Sequence, residues 1–143
     1  NLDDLDTDIT YTKEKDTHNF HVNTHLVDID QQTPIQGSMP VSMDYVYSKQ
    51  GVTIKMDHCP YSAYMVLPVI TSLLDVTEVD SKNMRIRKEN GILEISCVNG
   101  YLKVAPTDAD GRIFNPVPGF SFIPLQVFPE SPSKKIIVKI IYN

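Results

Sequence analysis

Three histidines near the start of the chain have a spacing that could bind a metal ion. His18, His21 and His25 form the pattern H-x-x-H-x-x-x-H, which on a helix would place all three rings on one face, where zinc could be chelated. The surrounding residues alternate between apolar and polar types, as in a strand, and on a strand only His21 and His25 share a face. We therefore expect solvated strand histidines here and no metal site.

The remaining histidine and the two cysteines form no recognisable catalytic motif. His58 and Cys59 are adjacent, and neighbours on an extended chain point to opposite faces, so the imidazole is poorly placed to activate the thiol. Cys59 and Cys97 lack a C-x-x-C spacing and form either two buried thiols or one disulfide, which would suit an oxidising compartment. We predict no catalytic residue and no cofactor; a hydrolase would have to gather His58 with distant carboxylates.

Tyrosine and methionine side chains are the best candidates for binding a ligand. Met43 and Tyr45 lie on one face of an alternating segment, and Tyr61, Tyr64 and Met65 lie in an apolar stretch further along the chain. Methionine adapts its shape to a ligand, and tyrosine offers an apolar ring with a polar tip. These five residues are the predicted ligand-binding set, for an apolar small molecule or a glycan fragment.

The composition indicates which elements must position these residues. The chain has 143 residues, with 14 Val and 14 Ile but only 3 Ala, and β-branched residues favour strands. The net charge of −5 is concentrated in the first 30 residues. The only basic cluster is Arg85, Arg87 and Lys88, which is too small to indicate nucleic-acid binding. No apolar run approaches the 18 residues or so that would cross a membrane.

Turn signals divide the sequence into strands. Asn90–Gly91 and Asn99–Gly100 lie between alternating segments, as in hairpins with type I′ turns, and together predict an antiparallel meander. A similar hairpin is predicted around Ser48–Gly51, and a last one around the loop Pro129–Ser133. The final strand is apolar on both faces, which is typical of a strand in the middle of a sheet.

Residues 61–74 differ from the rest because apolar side chains recur there at helical spacing. Tyr64, Leu67, Ile70 and Leu74 would share one helix face. Pro68 is better suited to the first turn of a second helix than to a helix interior. We predict one or two short helices, laid across an opening in the sheet as a plug or a movable lid beside which a ligand would enter.

The order of elements from Pro34 to Leu74 resembles a known family. A strand, then Gly51–Ile54, a short junction and the apolar stretch at Leu67–Ile70 are followed by several short strands. This order is similar to that of the lipocalin-like domains of unknown function found in secreted lipoproteins of Gram-negative gut bacteria. The resemblance covers roughly residues 34–143 and implies a β-barrel, an acidic tether after a lipidated cysteine outside this chain, and no catalytic residues.

The fold and domain predictions follow from these observations. We expect a mainly β protein of about nine antiparallel strands, either a lipocalin-like barrel or a two-sheet β-sandwich. Residues 1–17 are predicted to be an acidic tether or a loosely attached N-terminal segment. Residues 18–143 are predicted to form a single β domain.

The predicted function is that of a non-catalytic binding module of the cell envelope, or a secreted one. The alternative is a structural or interaction domain without a small-molecule ligand, whose partner would be another envelope protein. Contact with a membrane is expected only through a lipid anchor outside this chain, and no nucleic-acid partner is expected. The expected location is the periplasm or the outer-membrane surface, because the chain begins with Asn1 and an acidic segment.

Overall fold

A computed structural model describes residues 7–25, 40–57, 59, 63–70, 75–104 and 122–143. These residues form eleven β-strands, which we number in chain order. They are β1 (Asp8–Glu14), β2 (Thr17–Thr24), β3 (Val41–Ser48), β4 (Gly51–Asp57), β5 (Met65–Ile70), β6 (Val76–Asp80), β7 (Asn83–Lys88), β8 (Gly91–Val98), β9 (Gly100–Val104), β10 (Phe122–Pro129) and β11 (Ile136–Tyr142). None of the described residues forms a helix that is long and apolar enough to cross a membrane.

The strands form two antiparallel sheets. The large sheet has eight strands in the order β1-β2-β3-β4-β11-β8-β7-β6, and the small sheet has the order β5-β10-β9. Strands β1 and β6 are the two edges of the large sheet and do not pair with each other, so the described strands do not close into a barrel. The predicted β class is confirmed, and the arrangement fits a two-sheet sandwich; the lipocalin-like barrel is not supported.

The core lies between one face of the large sheet and one face of the small sheet. Strand register places apolar residues of neighbouring strands side by side; for example, Ile54 of β4 lies opposite Val138 of β11, which lies opposite Cys97 of β8. On β10 and β5 the alternate residues Leu125 and Leu67 form the matching face. The most deeply buried side chains are Met84, Ile86, Ile95, Ile123, Leu125, Ile136, Val127 and Val138.

The prediction of helices within residues 61–74 is wrong for the part that the structure describes. Met65–Ile70 is strand β5, which pairs with β10 so that Met65 lies opposite Val127. A short apolar run cannot be assigned to helix or strand from its spacing alone. Here the β-branched residues and the available edge of β10 favour the strand, and a helical lid over this part of the chain is excluded.

The two Asn-Gly pairs have different roles. Asn90–Gly91 closes the predicted hairpin between β7 and β8. Asn99–Gly100, in contrast, passes the chain from the large sheet to the small one, so the predicted meander is wrong at this point. Asn99 has a left-handed φ of 60°. A Cβ on Gly100 would lie 2.7 Å from the carbonyl oxygen of Phe128, so only glycine fits this corner between the sheets.

The last predicted hairpin also spans two sheets. The strands on either side of Pro129–Ser133 are β10 and β11, but β10 belongs to the small sheet and β11 to the large one. The positions of these two strands were predicted correctly, but the prediction that they pair with each other is wrong. The prediction that the final strand is central is confirmed, because β11 pairs with β4 on one side and with β8 on the other.

Cys59 and Cys97 are not joined by a disulfide, so of the two alternatives the disulfide is wrong for this structure. Both side chains are buried in the core. Burial raises the pKa of the Cys59 thiol, and it raises the pKa of the Cys97 thiol from 9.0 to about 11, although the nearby Lys82 ammonium acts in the opposite direction. Both groups are therefore protonated and unreactive near neutral pH.

The raised pKa of Cys97 predicts a loss of stability in alkali. Between pH 9 and about 11 the unfolded thiol has lost its proton while the folded one keeps it, so the free energy of unfolding falls as the pH rises through this window. Urea unfolding of the wild type and of Cys97→Ala at several pH values measures this, because the variant lacks that part of the slope. Equal slopes for the two proteins, or rapid alkylation of native Cys97 at pH 8, would contradict the prediction.

Candidate functional site

The apolar face of the large sheet extends beyond the core onto β1, β2 and β3. Register places Ile9 of β1 opposite Val22 of β2, which lies opposite Met43 of β3. The exposed fraction of the side chain increases toward the sheet edge and reaches 61% for Ile9. This part of the face forms an open groove of about 550 Å³, which we call the aromatic groove. It is lined by Ile9, His18, Phe20, Val22, Tyr45 and Tyr47.

Aromatic rings form a row on this sheet face, from Tyr11 beside the groove to Phe20 and Tyr47 within it. The ring of Tyr11 lies 4.9 Å from that of Phe20, and Phe20 meets the edge of Tyr47 at 5.8 Å. The exposed fractions are 51% for Tyr11, 37% for Phe20 and 42% for Tyr47. A row of large rings left in solvent is unusual, since such surface is costly to expose and commonly marks a binding site.

Polar groups are placed among these rings. The Tyr11 hydroxyl and His18 Nδ1 are hydrogen-bonded at 2.8 Å. At the inner end of the groove the Tyr45 hydroxyl donates to Met43 Sδ at 3.5 Å. Burial raises the pKa of Tyr45, helped by the neighbouring Tyr47, so its hydroxyl is a hydrogen-bond donor at neutral pH. The groove therefore combines apolar ring surface with a few hydroxyl and imidazole groups, as in sites for small polar molecules.

The four predicted ligand-binding residues that the structure describes lie in different parts of the fold. Tyr45 lines the aromatic groove, and Met43 lies beside it at the border of the core. Met65 is buried in the core. Tyr64 lies apart, 5.0 Å from the ring of Phe128 on the small sheet. Tyr61 is outside the described residues, so its predicted role stays a prediction.

Sequence reasoning did not include the outer half of the groove in the predicted site, because residues 1–17 were predicted to be an acidic tether or a loosely attached N-terminal segment. Residues 8–14 form an edge strand whose side chains are all exposed. The signal was the alternation of Ile9 and Tyr11 with polar residues. That alternation matches the alternation on β2, where Phe20 and Val22 share a face.

The histidines are divided between the two faces of the large sheet. His18 is in the aromatic groove, whereas His21 is on the opposite face and pairs with Asp44 at 2.6 Å. Within the described ranges no three His, Cys, Asp or Glu side chains are grouped so that they could hold a metal ion. His58 lies outside those ranges, so a site built around it remains untested.

The described strands thus form two antiparallel sheets, and one face of the large sheet carries a row of exposed aromatic rings. A family model described as the ulvan lyase C-terminal domain matches residues 1–143. The chain therefore belongs to this family, a β-rich domain of a polysaccharide lyase. A search of curated proteins gives no match. The family match gives no support for the lipocalin-like resemblance or for a lipoprotein.

Proposed function

We propose that this chain is a non-catalytic glycan-binding module and that the glycan lies in the aromatic groove. The observation that carries the proposal is the row formed by Tyr11, Phe20 and Tyr47, three rings exposed on an apolar sheet face. The C–H faces of sugar rings pack on aromatic side chains, while sugar hydroxyls need donors and acceptors beside them. Membership of a polysaccharide-lyase domain family supports a carbohydrate as the ligand.

The groove suits a polymer better than a small buried ligand. It is open to solvent, and its lining residues come from three neighbouring strands, β1, β2 and β3. An open groove gives access to sugar units in the middle of a chain, whereas a closed pocket admits only a free molecule or a chain end. A module of this kind would hold the polysaccharide near a catalytic domain and increase the local concentration of substrate.

The proposal includes an extracytoplasmic location, since a polysaccharide too large to cross a membrane is met outside the cytoplasm. It also includes the absence of catalysis by this domain. Both parts can be tested directly: the gene reveals whether a signal peptide precedes the chain, and incubation of the isolated domain with ulvan reveals whether new chain ends form. A gene product located in the cytoplasm would overturn the first part. Cleavage of ulvan by the domain that a groove variant abolishes would overturn the second.

A second candidate function is that the groove is an interface for a neighbouring protein domain. The high exposure of Ile9 and the apolar Val22 beside it favour this alternative, because aliphatic side chains contribute more to protein interfaces than to sugar binding. The two functions differ in which substitutions matter. Ile9→Ser would weaken a protein interface strongly but would leave binding of a glycan to the rings largely unchanged.

Replacing two rings of the groove should abolish most of the glycan binding. We expect Phe20→Ala/Tyr47→Ala to raise the Kd for ulvan by about 10- to 100-fold, since each aromatic contact is worth about 0.5–1.5 kcal/mol. Calorimetric titration or affinity electrophoresis measures the change. Tyr101→Ala is the matched control, because Tyr101 is an exposed ring stacked on Phe128 in the other sheet. Absence of ulvan binding by the wild type, or equal loss in the control, would refute the proposal.

A further inference from the structure

A second cavity continues the aromatic groove at the end of the sheet where two hairpins turn. It has a volume of about 290 Å³ and shares His18 and Tyr47 with the groove. Its other lining residues come from β1, from the turn between β1 and β2, and from the end of β3 with the turn that follows it. They are Lys13, Lys15, Asp16, Ser48 and Lys49.

Positive charge dominates this end of the groove. Three lysines and one aspartate are among the residues that line the cavity, although the chain as a whole has a net charge of −5. Register explains the position of Lys13, which lies opposite His18, which lies opposite Tyr47, so all three share the groove face. Lys15 adopts a left-handed φ of 51° in the turn.

The ion pair within the cavity is too weak to neutralise these lysines. Lys49 Nζ lies 3.9 Å from Asp16 Oδ2, and both side chains are more than four-fifths exposed, at 84% and 82%. Pairs of this kind contribute little to stability, because water screens the attraction and two long side chains must be held in place. A ligand anion could therefore replace Asp16 as the partner of Lys49 at small cost.

We propose, resting on the glycan-binding function above, that this lysine cavity binds an anionic substituent of the glycan, a carboxylate or a sulfate ester. One sugar unit stacks on Tyr47 while the acidic group of that unit or the next lies among Lys13, Lys15 and Lys49. The three lysines determine the specificity of the site for acidic polysaccharides over neutral ones. The arrangement also orients the ligand, since the described lysines that line the cavity lie at one end of the groove.

Charge-removing substitutions test the proposal. We expect Lys13→Gln/Lys15→Asn/Lys49→Gln to weaken ulvan binding by about tenfold or more, with each single change giving about two- to fivefold. Asparagine is chosen at position 15 because it tolerates the left-handed conformation. The matched control is Lys103→Gln/Lys134→Gln/Lys139→Gln, which removes the same charge from exposed positions elsewhere. Binding by the wild type should also weaken as salt rises toward 0.5 M, while binding by the triple groove variant should not.

Three probes identify the anion. Polygalacturonate offers carboxylates, dextran sulfate offers sulfates and dextran offers neither. The proposal is supported if the wild type prefers polygalacturonate or dextran sulfate over dextran, and if the Lys13/Lys15/Lys49 variant loses this preference while the control variant keeps it. The preferred probe then shows whether the bound anion is a carboxylate or a sulfate. An equal loss of binding in the Lys13/Lys15/Lys49 variant and in the control variant would show that the protein binds anions through its overall charge, and would overturn the proposal. Binding of ulvan that depends on Phe20 and Tyr47 but not on the lysines would overturn this inference alone, and absence of any binding would overturn the proposed function as well.

Discussion

Replacing Gly51 by alanine is expected to lower the free energy of unfolding by more than about 3 kcal/mol, because it combines backbone strain with a steric clash. Gly51 has a φ of 141°, a conformation that residues with a Cβ rarely adopt. An added Cβ would lie 2.0 Å from the carbonyl oxygen of Ile140, which is backbone and cannot rotate away. Urea unfolding followed by circular dichroism measures the loss.

Gln50→Ala is the control for this experiment, since Gln50 is in the same turn and is exposed. We expect it to change the free energy of unfolding by less than about 0.5 kcal/mol. A Gly51→Ala variant as stable as the wild type would show that β4 and β11 can separate at this point. The pairing of Gly51 with Ile141 in the large sheet would then be incorrect.

Truncation of Leu125 should give the other large effect. Leu125 is fully buried, at 0% exposure, and is at the centre of the small sheet between Leu67 of β5 and Val104 of β9. Leu125→Ala removes buried apolar surface and leaves a cavity, so we expect the free energy of unfolding to fall by about 2–5 kcal/mol. Thermal and urea unfolding of the variant measure the difference.

The controls for Leu125→Ala separate folding from binding. Val98→Ala truncates an exposed side chain and should cost less than about 1 kcal/mol. The aromatic groove lies on strands that do not pair with the small sheet, so the folded fraction of Leu125→Ala should bind ulvan with unchanged Kd. A cost below 1 kcal/mol for Leu125→Ala would mean that the small sheet does not pack on the large one as the structure shows.

Two of the hairpins were predictable from the sequence. Alternation and turn residues located the hairpins at Ser48–Gly51 and Asn90–Gly91, and both are confirmed. The same Asn-Gly signal failed at Asn99–Gly100. A left-handed residue allows a sharp change of direction but does not decide whether the next strand pairs with the previous one or joins another sheet. That choice depends on the edge of β10 that pairs with β9, and β10 is distant in sequence.

The candidate site was predictable only in part for a similar reason. Tyr45 was selected as a ligand contact, and it does line the groove. Phe20 and Tyr47 were visible as apolar positions of strands, but the row in which Phe20 lies between Tyr11 and Tyr47 depends on the register of three strands. The acidic character of the first residues favoured a tether or a loosely attached segment, so the alternation on β1 was not used to extend the predicted site. The core position of Met65 likewise depends on the pairing of β5 with β10.

The central place of β11 has a consequence for the order in which the chain folds. Strands β1 to β4 are joined by local pairings, and so are β6 to β8, but the two groups are connected in the large sheet only through β11. The hairpins that form the groove can therefore assemble early, whereas the complete sheet must wait until residues 136–142 insert between two finished edges. Such long-range closure is slow, typically taking milliseconds to seconds, and it leaves the edges of β4 and β8 open to wrong partners until the last strand arrives.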